Sequence, residues 1–292
     1  MKNLLNISDL NKDDFETILS FAKNIKPNTE DCLKNKNIGL IFEKNSTRTR
    51  LSFQVGINQL QGKYIDIKLE ELNLQRVESF EDTFEIMSCY LDALIFRTTN
   101  HRKLELASKY FNKPIINALS DVSHPCQSIS DIYTLRDHFQ KDDGFKIIWC
   151  GDMNNVLFSL LESLNFLDST KIDVFTEKKI FESNKNNFLN SDKVSYHFEL
   201  NDQILGSADC VMTDVFNSMN DKEDKEATLK KFMVNQELMN KTPKSAVFMH
   251  CLPAKIGSEV SNDVLKGPKS IVLKQATNRM ISQRGILKWL NL

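Results

Sequence analysis

Apolar and polar positions along the chain fall into blocks whose period keeps switching. Between residues 13 and 25, Phe15, Ile18, Leu19 and Ala22 recur on one face at helical spacing, after a shorter helical stretch nearer the start. The unbroken apolar run Ile38-Gly39-Leu40-Ile41-Phe42 predicts a buried parallel strand, and Leu51, Val55 and Leu60 after it predict a helix. Residues 64–69 alternate at period two, as a half-buried strand should, and a polar loop spans 70–77. Helices follow at 78–89 and 101–111, with strands at 92–96 and 114–117 and a long helix at 128–139. Beyond the polar segment 140–144 the alternation resumes. Strands are predicted at 145–150, 171–175, 194–198, 210–213 and 246–249, and a final helix at 276–290. Repeated strand–helix alternation is the mark of a mostly parallel sheet covered on both faces. The fold class expected is therefore α/β with two domains, the boundary falling at the polar segment.

Ligands of such sheets gather at the carboxyl ends of the strands. The stretch Phe42-Glu43-Lys44-Asn45-Ser46-Thr47-Arg48-Thr49-Arg50 stands there, where a strand gives way to a helix. Ser46 occupies the helix N-cap position, so free backbone N–H groups and the positive end of the helix dipole converge beside three hydroxyls. Arg48 adds a planar fork able to grip two phosphate oxygens. Taken alone, the same stretch equally describes a capped surface helix with two solvated arginines. Arg97 follows the Leu94-Ile95-Phe96 run, and His124-Pro125-Cys126-Gln127 follows the next short strand. Asn154 and Asn155, Asp214 to Asn220, and His250-Cys251-Leu252-Pro253 follow strands of the second series. The asparagines also read as caps of the next helix.

Composition narrows the ligands. The 292 residues carry 38 Lys plus Arg against 39 Asp plus Glu, a net charge of −1, so no bulk field draws the chain to nucleic acid or a membrane. Any anion must be held by a local site. The first residues show neither a long apolar core nor a small-residue cleavage pattern, which predicts a cytoplasmic protein. Six cysteines without C-x-x-C spacing predict reduced thiols rather than a zinc knuckle or a disulfide frame.

Among nine glycines none has the G-x-G-x-x-G spacing of a dinucleotide loop, and no Walker loop occurs. Cys251 adjoins His250, yet neighbours on an extended stretch point opposite ways, which disfavours a Cys–His nucleophile. A pocket rich in cationic and hydroxyl donors, with no metal ligands, suits direct transfer of a group from a small phosphorylated donor. Asn155, Asp214 and Ser218 suit the ammonium and carboxylate of an amino acid. Two half-sites on two domains imply closure.

Ser46-Thr47-Arg48-Thr49-Arg50, Phe96-Arg97 with its following His101, His124-Pro125-Cys126-Gln127, Asp214 with Ser218-Met219, and His250-Cys251-Leu252-Pro253 occur in this order over essentially the whole chain. In this the chain resembles the ornithine carbamoyltransferases; the Ser-Met pair and Cys251 favour ornithine over aspartate as acceptor. The resemblance implies a carbamoyl-phosphate-binding domain over 1–140, with helix 275–292 packing back on it, an ornithine-binding domain over 141–274, and helices joining the two. It implies that Ser46, Thr47, Arg48 and Thr49 hold the phosphate, with Arg50 as support. Arg97, His124 and Thr49 would reach the carbamoyl oxygen. Gln127 and the backbone carbonyls of Cys251 and Leu252 would fix the carbamoyl nitrogen, and Arg279 would reach in from the last helix. Arg97, His124, Cys251 and Arg279 form the implied catalytic set. Asn155, Asp214, Ser218 and Met219 would bind ornithine, and Asn73 would contact a neighbouring subunit of a homotrimer or a multiple of trimers. The substrates implied are carbamoyl phosphate and L-ornithine, for arginine biosynthesis or catabolism, with no cofactor and no metal. Another amine such as putrescine or an N-acylated ornithine, or a catalytically weak carbamoyl-phosphate binder, are the alternatives. The chain departs from the family pattern at Asn220, where glycine is usual, at Phe216, where tryptophan is usual, and at Met153 and Asn73.

Overall fold

The computed structural model describes residues 2–72, 78–185, 191–217 and 224–292. They form two compact units, Met1–Tyr133 with Thr277–Leu292, and Thr134–Ala276. The chain passes from one unit to the other within helices α5 (Pro125–Phe139) and α12 (Val272–Leu290).

In the first unit β1 (Asn37–Phe42), β2 (Lys63–Ile67), β3 (Ala93–Arg97) and β4 (Ile115–Leu119) form a parallel sheet of order β2-β1-β3-β4. The order reverses direction between β1 and β3, where Phe42 and Arg97 are register partners. Helices α1 (Lys12–Asn24), α2 (Thr47–Gln59), α3 (Phe80–Tyr90) and α4 (His101–Tyr110) connect and cover it. Their starts are set by short polar side chains: Asn11 Oδ1 accepts from Asp14 N at 2.8 Å, Ser79 Oγ from Asp82 N at 3.0 Å, and Asn100 Oδ1 from Arg102 N at 3.0 Å. Phe84, Leu94, Phe96, Leu104 and Phe111 fill the space between β3 and the helices α3 and α4. The buried face of α1 is Phe15, Ile18, Leu19 and Ala22, as the periodicity predicts. The last helix lies against α1 so closely that a Cβ on Gly285 would stand 2.5 Å from the carbonyl oxygen of Ile18.

The second unit holds β5 (Lys146–Cys150), β6 (Lys171–Phe175), β7 (Val194–His197), β8 (Cys210–Thr213) and β9 (Val247–His250), all parallel, in the order β7-β6-β5-β8-β9. Here the order reverses between β5 and β8. Helix α6 (Asn155–Ser163) follows β5, the shorter helices α7 (Lys178–Asn184), α8 (Asp202–Leu205), α9 (Glu226–Leu229), α10 (Gln236–Asn240) and α11 (Asn262–Leu265) lie between the later strands and α12, and Phe175, Phe216, Phe232 and Phe248 belong to one core cluster.

Two expectations need correction. Residues 63–67 do form a strand, but on the sheet edge and exposed along most of its length rather than half-buried; Tyr64 and Ile65 are open to solvent. In α2, Leu51 and Val55 are exposed, and the helix instead buries Thr49, Phe53, Gly56 and Ile57. Of the three apolar residues that suggested the core face, only Leu60, at the end of the helix, is buried; Leu51 and Val55 mark the opposite face.

Candidate active site

The switch point of the first sheet gathers the cationic residues. Ser46 is extended, and its Oγ accepts from Thr49 N at 3.3 Å, which starts α2 at the carboxyl end of β1. Arg97 ends β3 where a register shift against β4 falls between Phe96 and Arg97, a bulge of the kind that re-aims a side chain. From α12, Arg279 Nη2 donates to Thr49 Oγ1 at 2.9 Å and meets His124 Nε2 at 2.6 Å; Arg97 Nη1 donates to the same Thr49 oxygen at 3.4 Å. Thr49, His124 and Arg279 are all buried. A guanidinium can only donate, so His124 Nε2 is the accepting nitrogen and the proton sits on Nδ1. Burial first, then the charges of Arg279 and Arg97, hold the His124 pKa well below the usual histidine value. It is a neutral imidazole among arginines.

Gln127 lies in the first turn of α5. Its Nε2 donates to Asp131 Oδ1 at 2.7 Å, so its Oε1 faces the other way, buried and without a hydrogen-bond partner among the described residues. The Nε of Arg48 is likewise buried and unpartnered. Arg50 pairs with Asp66 on β2 at 2.9 Å and so braces the loop. Glu43 ties the segment after β1 to that after β3: its N–H donates to Arg97 O at 3.0 Å, and its carboxylate accepts from Thr98 Oγ1 at 2.5 Å, Thr99 N at 3.2 Å and Lys103 Nζ at 2.6 Å. Burial pushes the Glu43 pKa up, but these donors outweigh it and leave it below the usual carboxylate value.

The switch point of the second sheet gathers acceptors. Asn154 Oδ1 caps α6, accepting from Val156 N at 3.0 Å and Leu157 N at 3.1 Å, which turns Nδ2 toward Asp214 Oδ2 at 2.9 Å. Asp214 Oδ1 accepts from Cys251 Sγ at 2.9 Å. His250 Nδ1 accepts from Leu252 N at 2.9 Å, so its Nε2 carries the proton and faces Glu259 Oε1 at 3.3 Å. That bond closes a turn in which Leu252 adopts φ 58°. Asp214, His250 and Cys251 each offer a ligand atom within 4.8 Å of the others. Those atoms are engaged with one another and with Leu252 and Glu259. Gly151, after β5, has φ 124°, and a Cβ there would lie 2.7 Å from the Phe216 ring. Lys225 pairs with the buried Asp152 at 2.9 Å.

Of the residues singled out in the sequence, the first unit brings Thr49, Arg97, His124 and Arg279 into direct contact, with Ser46, Thr47 and Arg48 at the adjoining helix start and Gln127 in the first turn of α5. The second unit joins Asp214 to Cys251, with Asn155 at the first position of α6 and Leu252 in the adjoining turn. Ser218, Met219, Asn220 and Asn73 lie outside the described residues. Sequence reading missed the partners that orient these groups: Asp131, whose i, i+4 spacing from Gln127 is a readable signal, and Asn154, seen only as a cap. Glu43 and Glu259 carry no local signal.

A two-unit α/β chain with an arginine-lined anion loop on one sheet and an acceptor cluster on the other has the arrangement of a carbamoyltransferase. Residues 2–137 match the carbamoyl-P binding domain of aspartate/ornithine carbamoyltransferases, and residues 143–290 match the Asp/Orn binding domain. The chain belongs to the aspartate/ornithine carbamoyltransferase family. It is 37% identical to the ornithine carbamoyltransferase of Agrobacterium fabrum over 300 residues, covering 99% of this chain and 97% of that one. It is 35% identical to that of Methanocaldococcus jannaschii over 305 residues, covering 99% and 98%. Among solved structures, the ornithine carbamoyltransferase from Pyrococcus furiosus superposes with a TM-score of 0.85 at 34% identity, covering 98% of this chain and 96% of that one. The Burkholderia thailandensis enzyme does so with a TM-score of 0.89 at 30% identity, covering 100% and 99%.

Proposed function

We propose that this chain transfers the carbamoyl group of carbamoyl phosphate to the δ-amine of L-ornithine, giving L-citrulline and phosphate. The observation that supports this best is the convergence of Arg279 and Arg97 on Thr49 at the start of a thirteen-residue helix, with neutral His124 held against the same Arg279 guanidinium. The helix start, Ser46, Thr47 and Arg48 take the phosphate; the buried Arg48 Nε is one free donor for it. Arg97, His124, Arg279 and Thr49 face the carbamoyl oxygen. As the δ-nitrogen bonds to the carbamoyl carbon, charge develops on that oxygen, and donors already in place stabilise it by about two to three powers of ten in rate each. The C–O bond to phosphate then breaks, phosphate leaves with the electron pair, and the new nitrogen loses its proton. The Gln127 Oε1, turned outward by Asp131, accepts from the carbamoyl nitrogen. Asp214 receives the α-ammonium of ornithine, with Asn155, Ser218 and Met219 around the head group and Cys251 beside the carboxylate. The attacking amine must be neutral, against an ordinary alkylammonium pKa of about 10.4.

We further place the protein in the cytoplasm, in arginine metabolism, as a homotrimer; no helix among the described residues is long and apolar enough to cross a membrane. Exposed Leu51, Val55, Tyr64 and Ile65 on the adjacent α2 and β2 supply apolar surface for a subunit contact. Light scattering should then return three times the 33.7 kDa chain mass. The function is tested by steady-state assay of carbamoyl phosphate with ornithine, putrescine, N-acetylornithine and aspartate at equal concentration. Ornithine should be carbamoylated fastest. Putrescine lacks the amino-acid head group, and equal turnover with it refutes the acceptor assignment.

A further inference from the structure

We propose that His101 is a positioning residue for His124, acting through the buried turn Ser120–Ser123. The inference rests on the role given to His124 above. His101 opens α4 and is 7% exposed, yet none of its hydrogen bonds goes to Thr49, Arg97, His124 or Arg279. Its hydrogen bonds run toward His124 instead. The Asn6 amide donates to its Nε2 at 3.3 Å, which leaves the ring proton on Nδ1, 2.8 Å from Ser120 Oγ. Ser120 Oγ in turn donates to the carbonyl of Ser123 at 3.3 Å and accepts from Ser123 N at 3.1 Å. The main chain of His101 grips the same turn, its N–H donating to Asp121 Oδ1 at 2.7 Å.

The Ser123 carbonyl belongs to the peptide plane that carries His124. Three donors hold it: Ser120 Oγ, Ser120 N at 2.9 Å and Asn117 Nδ2 at 3.2 Å. On the other side the His124 carbonyl accepts from Gln127 N at 3.0 Å, the first turn of α5. The backbone at His124 is thus fixed from both directions, and its imidazole reaches Arg279 only from that backbone position. Ser120 is the hub of the turn: its Oγ also receives Asn117 Nδ2 at 3.4 Å, but His101 Nδ1 at 2.8 Å is the closest donor and does most to send the hydroxyl proton to the Ser123 carbonyl on the other side. Removing the His101 donor frees that proton and loosens the plane. A displacement of about 1 Å at a reacting group can cost on the order of a hundredfold in rate.

Asparagine and glutamine separate the two ring nitrogens. Asparagine at 101 puts an amide donor near the place of Nδ1, whereas glutamine reaches only the place of Nε2. Kinetics of His101→Asn, His101→Gln, His124→Ala and the double variant His101→Gln/His124→Ala, with carbamoyl phosphate and ornithine, test the proposal. His101→Asn should retain kcat within about threefold, while His101→Gln should lose about tenfold or more with KM for carbamoyl phosphate little changed. In the His124→Ala background, His101→Gln should have no further effect, because residues acting as one unit are not additive. Equal loss in the Asn and Gln variants, or the same fold-loss with and without His124, overturns the proposal. An undiminished kcat in His124→Ala alone refutes the role of His124 itself and is read separately. Should His101→Gln fold poorly, Ser120→Ala removes the acceptor of the same bond and must show the same non-additivity with His124→Ala.

Discussion

Asn154 performs two tasks with one amide, and substitutions divide them. Its Oδ1 caps two N–H groups of α6, and its Nδ2 donates to the Asp214 carboxylate, both in a buried setting. Replacing it by alanine removes the cap, worth about 1 kcal/mol, and a hydrogen bond to a charged group, worth about 2 kcal/mol. Together these come to about 3 kcal/mol. Serine keeps the cap, because its Oγ can accept at the helix start, but its hydroxyl is too short to reach Asp214. Asn154→Ser should therefore lose only the second part, about 2 kcal/mol. The two variants should differ in stability yet agree in function: with Asp214 no longer oriented, ornithine affinity should fall about tenfold in both, about 1.4 kcal/mol. Urea unfolding measures the first quantity and ornithine titration by calorimetry the second. Carbamoyl phosphate binding should be unchanged. If alanine and serine give the same unfolding midpoint, the cap is not contributing; if ornithine binds either variant as it binds wild type, Asn154 does not orient Asp214.

Arg48→Lys should weaken carbamoyl phosphate binding by at least about tenfold, because an ammonium cannot reproduce the planar fork; an unchanged dissociation constant removes Arg48 from the site. Acid should destabilise the fold from about pH 6.5 downward: His124 stays neutral when folded but takes up a proton when unfolded, so stability falls as pH drops below the unfolded value of about 6.5. The slope is at most about 1.4 kcal/mol per pH unit, His138 adds the same sign through its burial and the nearby Lys274, and His124→Asn should flatten the curve between pH 6.5 and 5. Asp143 acts lower. Burial pushes its pKa up, but Thr170 and three backbone donors outweigh this and bring it to about 2, so its stabilisation is lost only as pH falls from about 3.8 toward that value. Gly285→Ala should cost about 2 kcal/mol of stability despite the better helix former, since the new Cβ meets the backbone of Ile18 and Ala22; equal urea midpoints would show that α1 and α12 can separate freely.

Much of this fold could be read from the chain because its strands are parallel. Strands covered on both faces appear as continuous apolar runs, as in β1 and β3, buried without a break over 38–41 and 93–96, and the strands predicted at 171–175 and 210–213 coincide with β6 and β8. The same reasoning failed for β2 and α2. Leu51, Val55, Tyr64 and Ile65 are apolar but face outward from the chain, and hydrophobicity alone does not distinguish a core position from an exposed one. Strand order was not readable either, since periodicity carries no pairing. The residues at the carboxyl ends were accessible without it, because the rule that ligands gather there needs only the direction of each strand. Partners such as Glu259 for His250 stayed hidden: nine residues apart and joined by an irregular turn, they follow no repeating spacing.

The two sheets put opposite chemistry at the same topological place. At the switch between β1 and β3 the main-chain geometry exposes N–H groups and the side chains add guanidinium and hydroxyl donors, so the site favours an anion before any ligand arrives. At the switch between β5 and β8 the side chain presented is a carboxylate, already oriented by Asn154 and Cys251, which favours an ammonium. A protonated His124 would undo the first of these arrangements. At an effective dielectric of about 20, two unit charges 4 Å apart repel by about 4 kcal/mol, and Arg279 stands closer than that to the His124 ring. Kept neutral, His124 accepts from Arg279 through one nitrogen and still carries an N–H on the other. The site thereby holds its guanidinium charges side by side without a further positive charge on the ring between them.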